Sequence, residues 1–179
     1  DPAWYGMARH LHVASPFLLS KLRPAMPQMM AQAQQAGMTV SLDANWDPSE
    51  RWDVDDLFDH LDLFFPNENE LLAIAGCQDL EEALAVMLER VPLIAVKRGR
   101  RGALAATKEQ RIVFPGYPTT VADTTGAGDS FDGGFLAAWL KGKPLDSCLR
   151  YGAACGSMTI RQVGGFKGQP TWQEANQFI

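Results

Sequence analysis

The chain has 179 residues, of which 46% are hydrophobic, enough to bury one sizeable core in a single domain. Its net charge of -5 gives no basic surface for a nucleic-acid backbone, so nucleic acid is not an expected partner. No apolar run approaches the roughly 20 residues that span a bilayer, and no basic segment leads an apolar one at the N-terminus, so we expect a cytoplasmic protein without a membrane partner.

The first half of the chain alternates short apolar runs with amphipathic stretches, which is typical of strand and helix units that build a parallel sheet. The expected strands are 11–15, 38–43, 61–65 and 93–96, and the expected helices are 20–36, 53–60, 67–75 and 80–90. The unbroken apolar run 93–96 indicates a central strand that helices cover on both faces.

Glycine and proline become frequent after residue 98, which predicts two short extended segments, 103–106 and 111–114, in an antiparallel pair. Two long helices, 127–141 and 144–163, and a short final helix, 174–179, complete the expected elements.

Cys77, Cys148 and Cys155 form no Cys-x-x-Cys pair, which fits buried reduced thiols better than a disulfide framework or a zinc site.

The most informative stretch is DTTGAGDSF, residues 123–131, in which a glycine-rich turn runs into an amphipathic helix. The first N–H groups of a helix have no intrahelical partners and carry the positive end of its dipole, so such a junction can bind an anion. Asp129 falls in the first turn, where a carboxylate could accept the proton of an alcohol during phosphoryl transfer. The spacing fits equally well a simple acid at a helix N-terminus, with Gly126 and Gly128 as turn residues.

Two better-known glycine motifs do not occur. The sequence contains no Gly-x-x-x-x-Gly-Lys-Ser/Thr, and no Gly-x-Gly-x-x-Gly follows the first strand. Neither a Walker-type nor a dinucleotide-binding interpretation is supported.

The full run 123–135, DTTGAGDSFDGGF, resembles the C-terminal signature of the ribokinase-like (PfkB) carbohydrate kinases. The resemblance implies a three-layer αβα ribokinase-like fold with a mostly parallel central sheet. It also implies an anion hole at Gly126, Ala127 and Gly128, with Thr125 beside it, and Asp129 as the base that deprotonates a sugar hydroxyl. ATP would be the co-substrate and Mg²⁺ the cofactor.

The segment Asn67, Glu68, Asn69, Glu70 follows a strand and opens a helix. A carboxylate there can hold Mg²⁺ through water, because magnesium keeps much of its hydration and takes few protein ligands. Asn67 and Glu70 could equally form a capping box. The segment resembles the family's Asn-x-x-Glu motif, and this implies a water-mediated role at magnesium for both residues.

The segment 97–102, KRGRRG, ends the expected central strand, at the edge where open α/β sheets bind ligands. It resembles the family's Gly-x-x-Gly turn near ATP, which implies that Lys97, Gly99 and Gly102 contact nucleotide or phosphate. The glycine- and alanine-rich segment 151–160 resembles the helix on which the adenine packs, and this implies base contacts at Ala153 and Gly156. Close helix–helix packing explains those small residues equally well.

Two further segments bear on ions and substrate. The resemblance places a monovalent cation, such as K⁺, beside Asp123 and backbone carbonyls near Gly164. Residues 43–45, Asp-Ala-Asn, resemble the family's Asp-x-Asn segment. Several sugar-acid kinases of the family have arginine two residues later, where this chain has Asp47, and we therefore expect no carboxylate-bearing substrate.

The resemblance covers nearly all of residues 1–179 and begins in the middle of the family pattern. We expect the C-terminal, nucleotide-binding and catalytic portion of a kinase domain, with the N-terminal part and the lid absent. The leading function is transfer of the γ-phosphoryl group of ATP to a sugar hydroxyl. A nucleoside or vitamin kinase and a non-catalytic nucleotide-binding relative are the alternatives. Expected partners are ATP, a small sugar and a second copy of the chain, since family members often dimerise through the lid.

Overall fold

The structure is a computed structural model and describes residues 2–179. Six strands hydrogen-bond in the order β1 to β6: β1 (His10–Ala14), β2 (Thr39–Asp43), β3 (Leu63–Phe64), β4 (Leu93–Lys97), β5 (Ala103–Ala106) and β6 (Arg111–Phe114). Strands β1 to β4 pair in parallel, with Leu11 opposite Val40, Ser41 opposite Leu63, and Leu63 opposite Leu93. The α/β fold with a mostly parallel sheet is therefore as expected.

Six α-helices accompany the sheet: α1 (Met26–Gln35), α2 (Glu68–Ala75), α3 (Leu80–Leu88), α4 (Ala127–Trp139), α5 (Leu145–Thr159) and α6 (Trp172–Phe178). The described residues form two compact units, 2–96 with 106–110, and 97–105 with 111–179. In the described residues, no helix combines the length and the apolar character needed to cross a membrane.

The first unit contains β1 to β3, most of β4 and α1 to α3 around an apolar core. Fully buried side chains from its strands and helices include Met30, Val40, Leu42, Leu63, Phe64 and Leu71. Parallel strands buried on both faces require such continuous apolar runs, which explains why the strand segments were recognisable in the sequence.

In the second unit, α4 and α5 pack closely because glycines remove side chains from their interface. A Cβ atom on Gly134 would lie 2.6 Å from the Tyr151 carbonyl oxygen, and one on Gly152 would lie 2.9 Å from the Phe131 ring. Phe135 and Leu149 are fully buried in the same unit. Helix–helix packing therefore accounts for part of the small-residue character of α5.

The first expected helix, 20–36, was wrong at its N-terminal end. Helix α1 begins at Met26, after a short 3₁₀ turn at Arg23–Ala25. A helix from residue 20 would place Pro24 and Pro27 in its interior, where proline lacks a donor and clashes with the preceding turn. In the structure Pro27 lies in the first turn of α1, where its missing N–H costs nothing.

Other boundaries also differ; helix α6, for example, begins at Trp172 instead of residue 174. Residues Asp55–His60 form a 3₁₀ helix, and β3 has only the two residues Leu63–Phe64. Helix α5 ends at Thr159, four residues before the expected end at 163. A Cβ atom on Gly168 would lie 2.5 Å from the Thr159 carbonyl oxygen, so the glycine-rich segment after α5 folds back on the helix end.

Candidate active site

The glycine turn before α4 has a backbone that only glycine fits. Gly126 is the N-cap residue of α4, with φ at 74° in the left-handed region. A Cβ atom there would lie 2.5 Å from the carbonyl oxygen of Gly165. Both conformation and space therefore exclude a side chain at this position.

The first turn of α4 presents main-chain donors. The N–H of Ala127 donates to the Thr124 carbonyl at 3.2 Å, but no residue of 2–179 accepts a hydrogen bond from the N–H of Gly128 or Asp129. These groups stand at the positive end of a 13-residue helix. The turn can therefore accept an anion, and the donors lie at the second and third residues of the helix.

Asp123 holds the turn in place. Its Oδ1 accepts hydrogen bonds from the N–H of Thr125 at 2.9 Å and from the Thr125 hydroxyl at 2.8 Å, and its Oδ2 accepts one from the N–H of Gly164 at 3.0 Å. The hydrogen bonds from the Thr125 N–H, then from the Gly164 N–H and the Thr125 hydroxyl, lower the pKa of this carboxyl. The structure thus joins Asp123 to Gly164, the neighbourhood in which the resemblance implies a monovalent cation.

Lys97, at the end of β4, reaches the same turn. Its Nζ lies 3.5 Å from the position that a Cβ atom would take on Gly128, and 3.4 Å from Oδ2 of Asp132. Asp132 is 1% exposed. A cation therefore stands beside the main-chain donors of α4, with a buried carboxylate behind it.

A cavity of about 810 Å³ opens beside this turn, within the second unit. The predicted residues that line it are Lys97, Gly99, Gly102, Ala127, Gly128, Ala153 and Gly156. Thr125, also predicted, is not among the lining residues, and its neighbour Thr124 is. A cavity of this volume is within the range of small-molecule sites.

Gly102 shapes one wall of this cavity. Its φ is 77°, and a Cβ atom on it would lie 2.0 Å from the Phe114 carbonyl oxygen. The Arg98 N–H donates to the Gly102 carbonyl at 2.9 Å, which closes the turn. A side chain at residue 102 would push residues 114–116 away.

The neighbouring segment 115–121 also lines the cavity and is held by side chains from the C-terminal part of the chain. Nε of Arg161 donates to the Thr119 hydroxyl at 2.9 Å, and that hydroxyl donates to the Ser157 carbonyl at 3.2 Å. The Phe178 ring lies 4.9 Å from the Tyr117 ring, and the Arg161 guanidinium lies 4.7 Å from the Phe178 ring. Thr119, Tyr117 and Ser157 all line the cavity.

Asp129 lies on another side of the turn. It is exposed and lines a second cavity, of about 210 Å³, together with Ser130 and Gly133. Cys155 also lines this cavity, and burial raises the pKa of its thiol to about 11, so it is a poor nucleophile. The carboxylate of Asp129 is therefore the basic group that this side of α4 offers to a reactant.

Asn67 and Glu70 form the capping box of α2, in the first unit. The Asn67 side chain accepts from the Glu70 N–H at 2.9 Å, and Glu70 Oε2 accepts from the Asn67 N–H at 2.8 Å. Nδ2 of Asn67 also donates to Glu70 Oε1 at 2.6 Å. The capping alternative is thus present in the structure. The capping hydrogen bonds do not by themselves exclude a metal-bound water as a further partner of the Glu70 carboxylate.

Comparison with known proteins identifies the family. The model of the pfkB family of carbohydrate kinases matches residues 2–172. The chain belongs to this family.

Similar proteins within it are kinases. The ATP-dependent ribose-1-phosphate kinase of Halopiger xanaduensis is 32% identical over 173 residues, which is 96% of this chain and 55% of that protein. The fold is similar to a candidate Ribokinase II of E. coli in complex with ATP and Mg²⁺, with a TM-score of 0.90, 28% identity, and coverage of 99% of this chain and 60% of that one.

The fold is also similar to that of a double mutant of Vibrio cholerae fructokinase in the form bound to fructose, ADP and potassium ion. The TM-score is 0.85 and the identity 29%, over 94% of this chain and 59% of that one. The fold is therefore the ribokinase-like fold, and the chain spans little more than half the length of these pfkB relatives.

Asp47, the residue behind the expectation of no carboxylate-bearing substrate, is buried in its own loop. The Asp47 carboxylate is 2% exposed and accepts hydrogen bonds from the N–H groups of Ser49, Arg51 and Trp52 and from the Ser49 hydroxyl. These hydrogen bonds lower the pKa of Asp47 even though its burial opposes the shift. A carboxylate so enclosed organises its own loop.

Sequence reasoning missed Asp132, Thr119 and Arg161. A carboxylate at residue 132, inside the apolar run of α4, was a usable signal, because a buried acid needs a cation or a set of donors. No such signal marks Thr119 and Arg161. Their contact joins residues 42 positions apart and depends on how the chain folds after α5.

Proposed function

We propose that this chain is the nucleotide-binding and catalytic portion of an ATP-dependent carbohydrate kinase. The reaction transfers the γ-phosphoryl group of ATP to a sugar hydroxyl. The observation that carries the proposal is the first turn of α4, where the N–H groups of Gly128 and Asp129 have no acceptor in residues 2–179 and lie beside the Lys97 ammonium and the exposed Asp129 carboxylate. The named activities of the pfkB relatives support the same reaction.

Asp129 is the general base of the proposed reaction. Its carboxylate accepts the proton of the sugar hydroxyl while that oxygen forms its bond to the γ-phosphorus and the bond to the ADP oxygen breaks. The exposure of Asp129 leaves the carboxylate accessible to an alcohol.

The turn of Gly126, Ala127 and Gly128 is the proposed anion hole. Donors fixed at a helix N-terminus stabilise negative charge on the phosphoryl oxygens without reorganising during the reaction. Lys97 adds a point charge from the cavity side. The ATP base and ribose occupy the cavity of about 810 Å³, along the walls formed by Gly99, Gly102, Ala153 and Gly156.

Two ions belong to the proposal. Mg²⁺, when bound, neutralises the phosphate oxygens of ATP. Glu70 would take part through a metal-bound water, and Asn67, whose amide is bound to Glu70 at both ends, would orient that carboxylate. Asp123 would attract K⁺ to the neighbourhood of Gly164, where its Oδ2 already accepts a hydrogen bond.

The test of the base is Asp129→Asn, which keeps the shape and removes the proton acceptor. We expect kcat to fall by about 10²–10⁴-fold while ATP affinity stays within a few-fold. Asp146→Asn is the matched control, because Asp146 is also an acid in the first turn of a helix, and it should leave kcat unchanged. Unchanged turnover in Asp129→Asn would contradict the assignment.

The acceptor is tested with the same proteins. ADP formation is measured with a panel of sugars, nucleosides and vitamin alcohols. Each acceptor is assayed with the unsubstituted chain and, as a blank, with the Asp129→Asn variant. The proposal is supported if a sugar gives the highest kcat/KM of all acceptors in the panel. Preference for a nucleoside or a vitamin transfers the mechanism to that acceptor, and ATP binding without turnover on any member supports the non-catalytic alternative.

The magnesium role is tested against a second capping box in the same chain. Thr171 and Glu174 cap α6 with the same pattern of hydrogen bonds as Asn67 and Glu70. Glu70→Gln and Glu174→Gln should each lose about 0.5–1 kcal/mol of stability, measured by urea unfolding, because each weakens one cap. Only Glu70→Gln should also raise the Mg²⁺ concentration needed for half-maximal activity. Equal magnesium dependence in the two variants would reduce Glu70 to a capping residue.

A further inference from the structure

Asp132 and Lys97 form an ion pair next to Gly128, in the glycine turn that is proposed to bind phosphate. The distance from Lys97 Nζ to Asp132 Oδ2 is 3.4 Å, and the side chains of Lys97 and Asp132 are 15% and 2% exposed. Removing a carboxylate from water is costly unless a cation or hydrogen-bond donors compensate it. The pair is therefore a fixed feature of the second unit, unlike an exposed ion pair whose partners move freely.

The two partners stand in a definite order with respect to the cavity. Lys97 and Gly128 line it, and Asp132 does not. Nζ of Lys97 also lies 3.5 Å from the Cβ position of Gly128. The ammonium is thus interposed between an internal carboxylate and the place where the turn would receive a phosphate.

The contact between Lys97 and Asp132 is long for an ion pair. Charge-assisted N–H to carboxylate bonds are usually about 2.7–2.9 Å long, and this contact is 3.4 Å. An ammonium group has three donors, so the contact with Asp132 does not by itself prevent Lys97 from binding a phosphate oxygen.

We propose that Asp132 is a positioning residue that holds the Lys97 ammonium at the phosphate-facing wall beside Gly128. Asp132 does not line the cavity, and it acts on the phosphate through Lys97. The inference rests on the proposed function, because it needs a phosphate-bearing ligand in the cavity. It predicts that losing the Asp132 charge weakens the binding of phosphates and leaves the binding of the base and ribose intact.

The experiment is a double-mutant cycle of Asp132→Asn, Lys97→Met and the double variant. Dissociation constants for ATP, ADP and adenosine are measured by calorimetry on the whole chain. Asp132→Asn should weaken ATP and ADP about tenfold when Lys97 is present and less than about twofold in the Lys97→Met background, because contacting residues couple. Adenosine should bind within about twofold in all four proteins, since it has no phosphate for Lys97 to contact.

The outcomes separate positioning from a structural role. If Asp132→Asn weakens adenosine as much as ATP, or acts equally with and without Lys97, Asp132 merely supports the fold and the proposal is overturned. The same follows if ATP affinity does not change. In these cases the kinase assignment stands. If the unsubstituted chain binds none of the three ligands, the proposed function fails and this inference fails with it.

Removing one member of a buried pair can impair folding, so thermal unfolding is recorded for every variant. If Lys97→Met does not fold, Asp132→Glu replaces that arm of the test. The glutamate keeps the charge, and it should recover ATP affinity relative to Asp132→Asn without changing adenosine affinity. Failure of the glutamate to recover any ATP affinity would overturn the proposal.

Discussion

In the glycine turn of residues 126–128, the available space determines the residue type as much as the chemistry does. Gly126 has a left-handed backbone and faces the Gly165 carbonyl, whereas Gly133, two turns along the same helix, has open space where a Cβ atom would be. The two glycines look equivalent in the sequence, and their neighbours make them different. They therefore form a matched pair for substitution.

Gly126→Ala should destabilise the protein by about 1–3 kcal/mol, because alanine is strained in the left-handed region and its Cβ atom meets the Gly165 carbonyl. It should also weaken ATP binding by displacing the turn. Gly133→Ala should stabilise by up to about 1 kcal/mol, since alanine is the better helix residue. Urea unfolding and ATP titration measure both effects. Equal stability of the two variants would show that the turn can relax around a side chain.

At the scale of elements, the C-terminal segment supports the cavity wall. Residues 115–121 contain no helix or strand, and they contact Ser157 in α5, Arg161 just after α5, and α6. Arg161 binds Thr119, and Phe178 packs on Tyr117. A segment held by a few side-chain contacts is easier to displace than a strand with a full set of backbone hydrogen bonds.

Arg161→Ala should raise KM for ATP about two- to tenfold without changing kcat, because it releases the wall and leaves Asp129 untouched. Thr119→Val removes the other end of the same hydrogen bond and should have a similar effect. The double variant should be no worse than either single one if the contact is the cause. Steady-state kinetics measures this. Additive losses, or a loss confined to kcat, would disprove a wall-positioning role.

The whole molecule divides into two compact units, and the complete cavity of about 810 Å³ lies in the second. Every residue predicted to bind the nucleotide belongs to that unit as well. Asn67 and Glu70 belong to the first unit. The proposed nucleotide site can therefore be tested on this chain, although it spans little more than half the length of its relatives.

ATP should stabilise the chain against heat by mass action. At a free concentration one hundred times its Kd, a ligand of the native state contributes about 2.7 kcal/mol, which corresponds to roughly 5–10 °C for a chain of this size. Differential scanning fluorimetry with ATP, adenosine and tripolyphosphate would separate the base and phosphate contributions. An unchanged melting temperature at saturating ATP would count against the cavity as the nucleotide site.

The sequence by itself determined the order of the elements and the location of the phosphate turn. Apolar runs such as residues 93–96 must be buried on both faces, and a glycine turn ahead of a helix must leave N–H groups without intrahelical partners. Both features follow from the local sequence, without any contact between distant residues. They fixed the fold class and the position of the glycine turn, and the signature at 123–135 made the family recognisable.

The tertiary structure decided which residues face one another across long separations. It paired Lys97 with Asp132, joined Asp123 to Gly164, enclosed Asp47 in its own loop, and left Thr125 outside the cavity that its neighbour lines. Side-chain direction and long-range contacts depend on packing between distant segments, and no local pattern encodes that packing. The chemistry of the turn was therefore predictable, while the residues that position it were not.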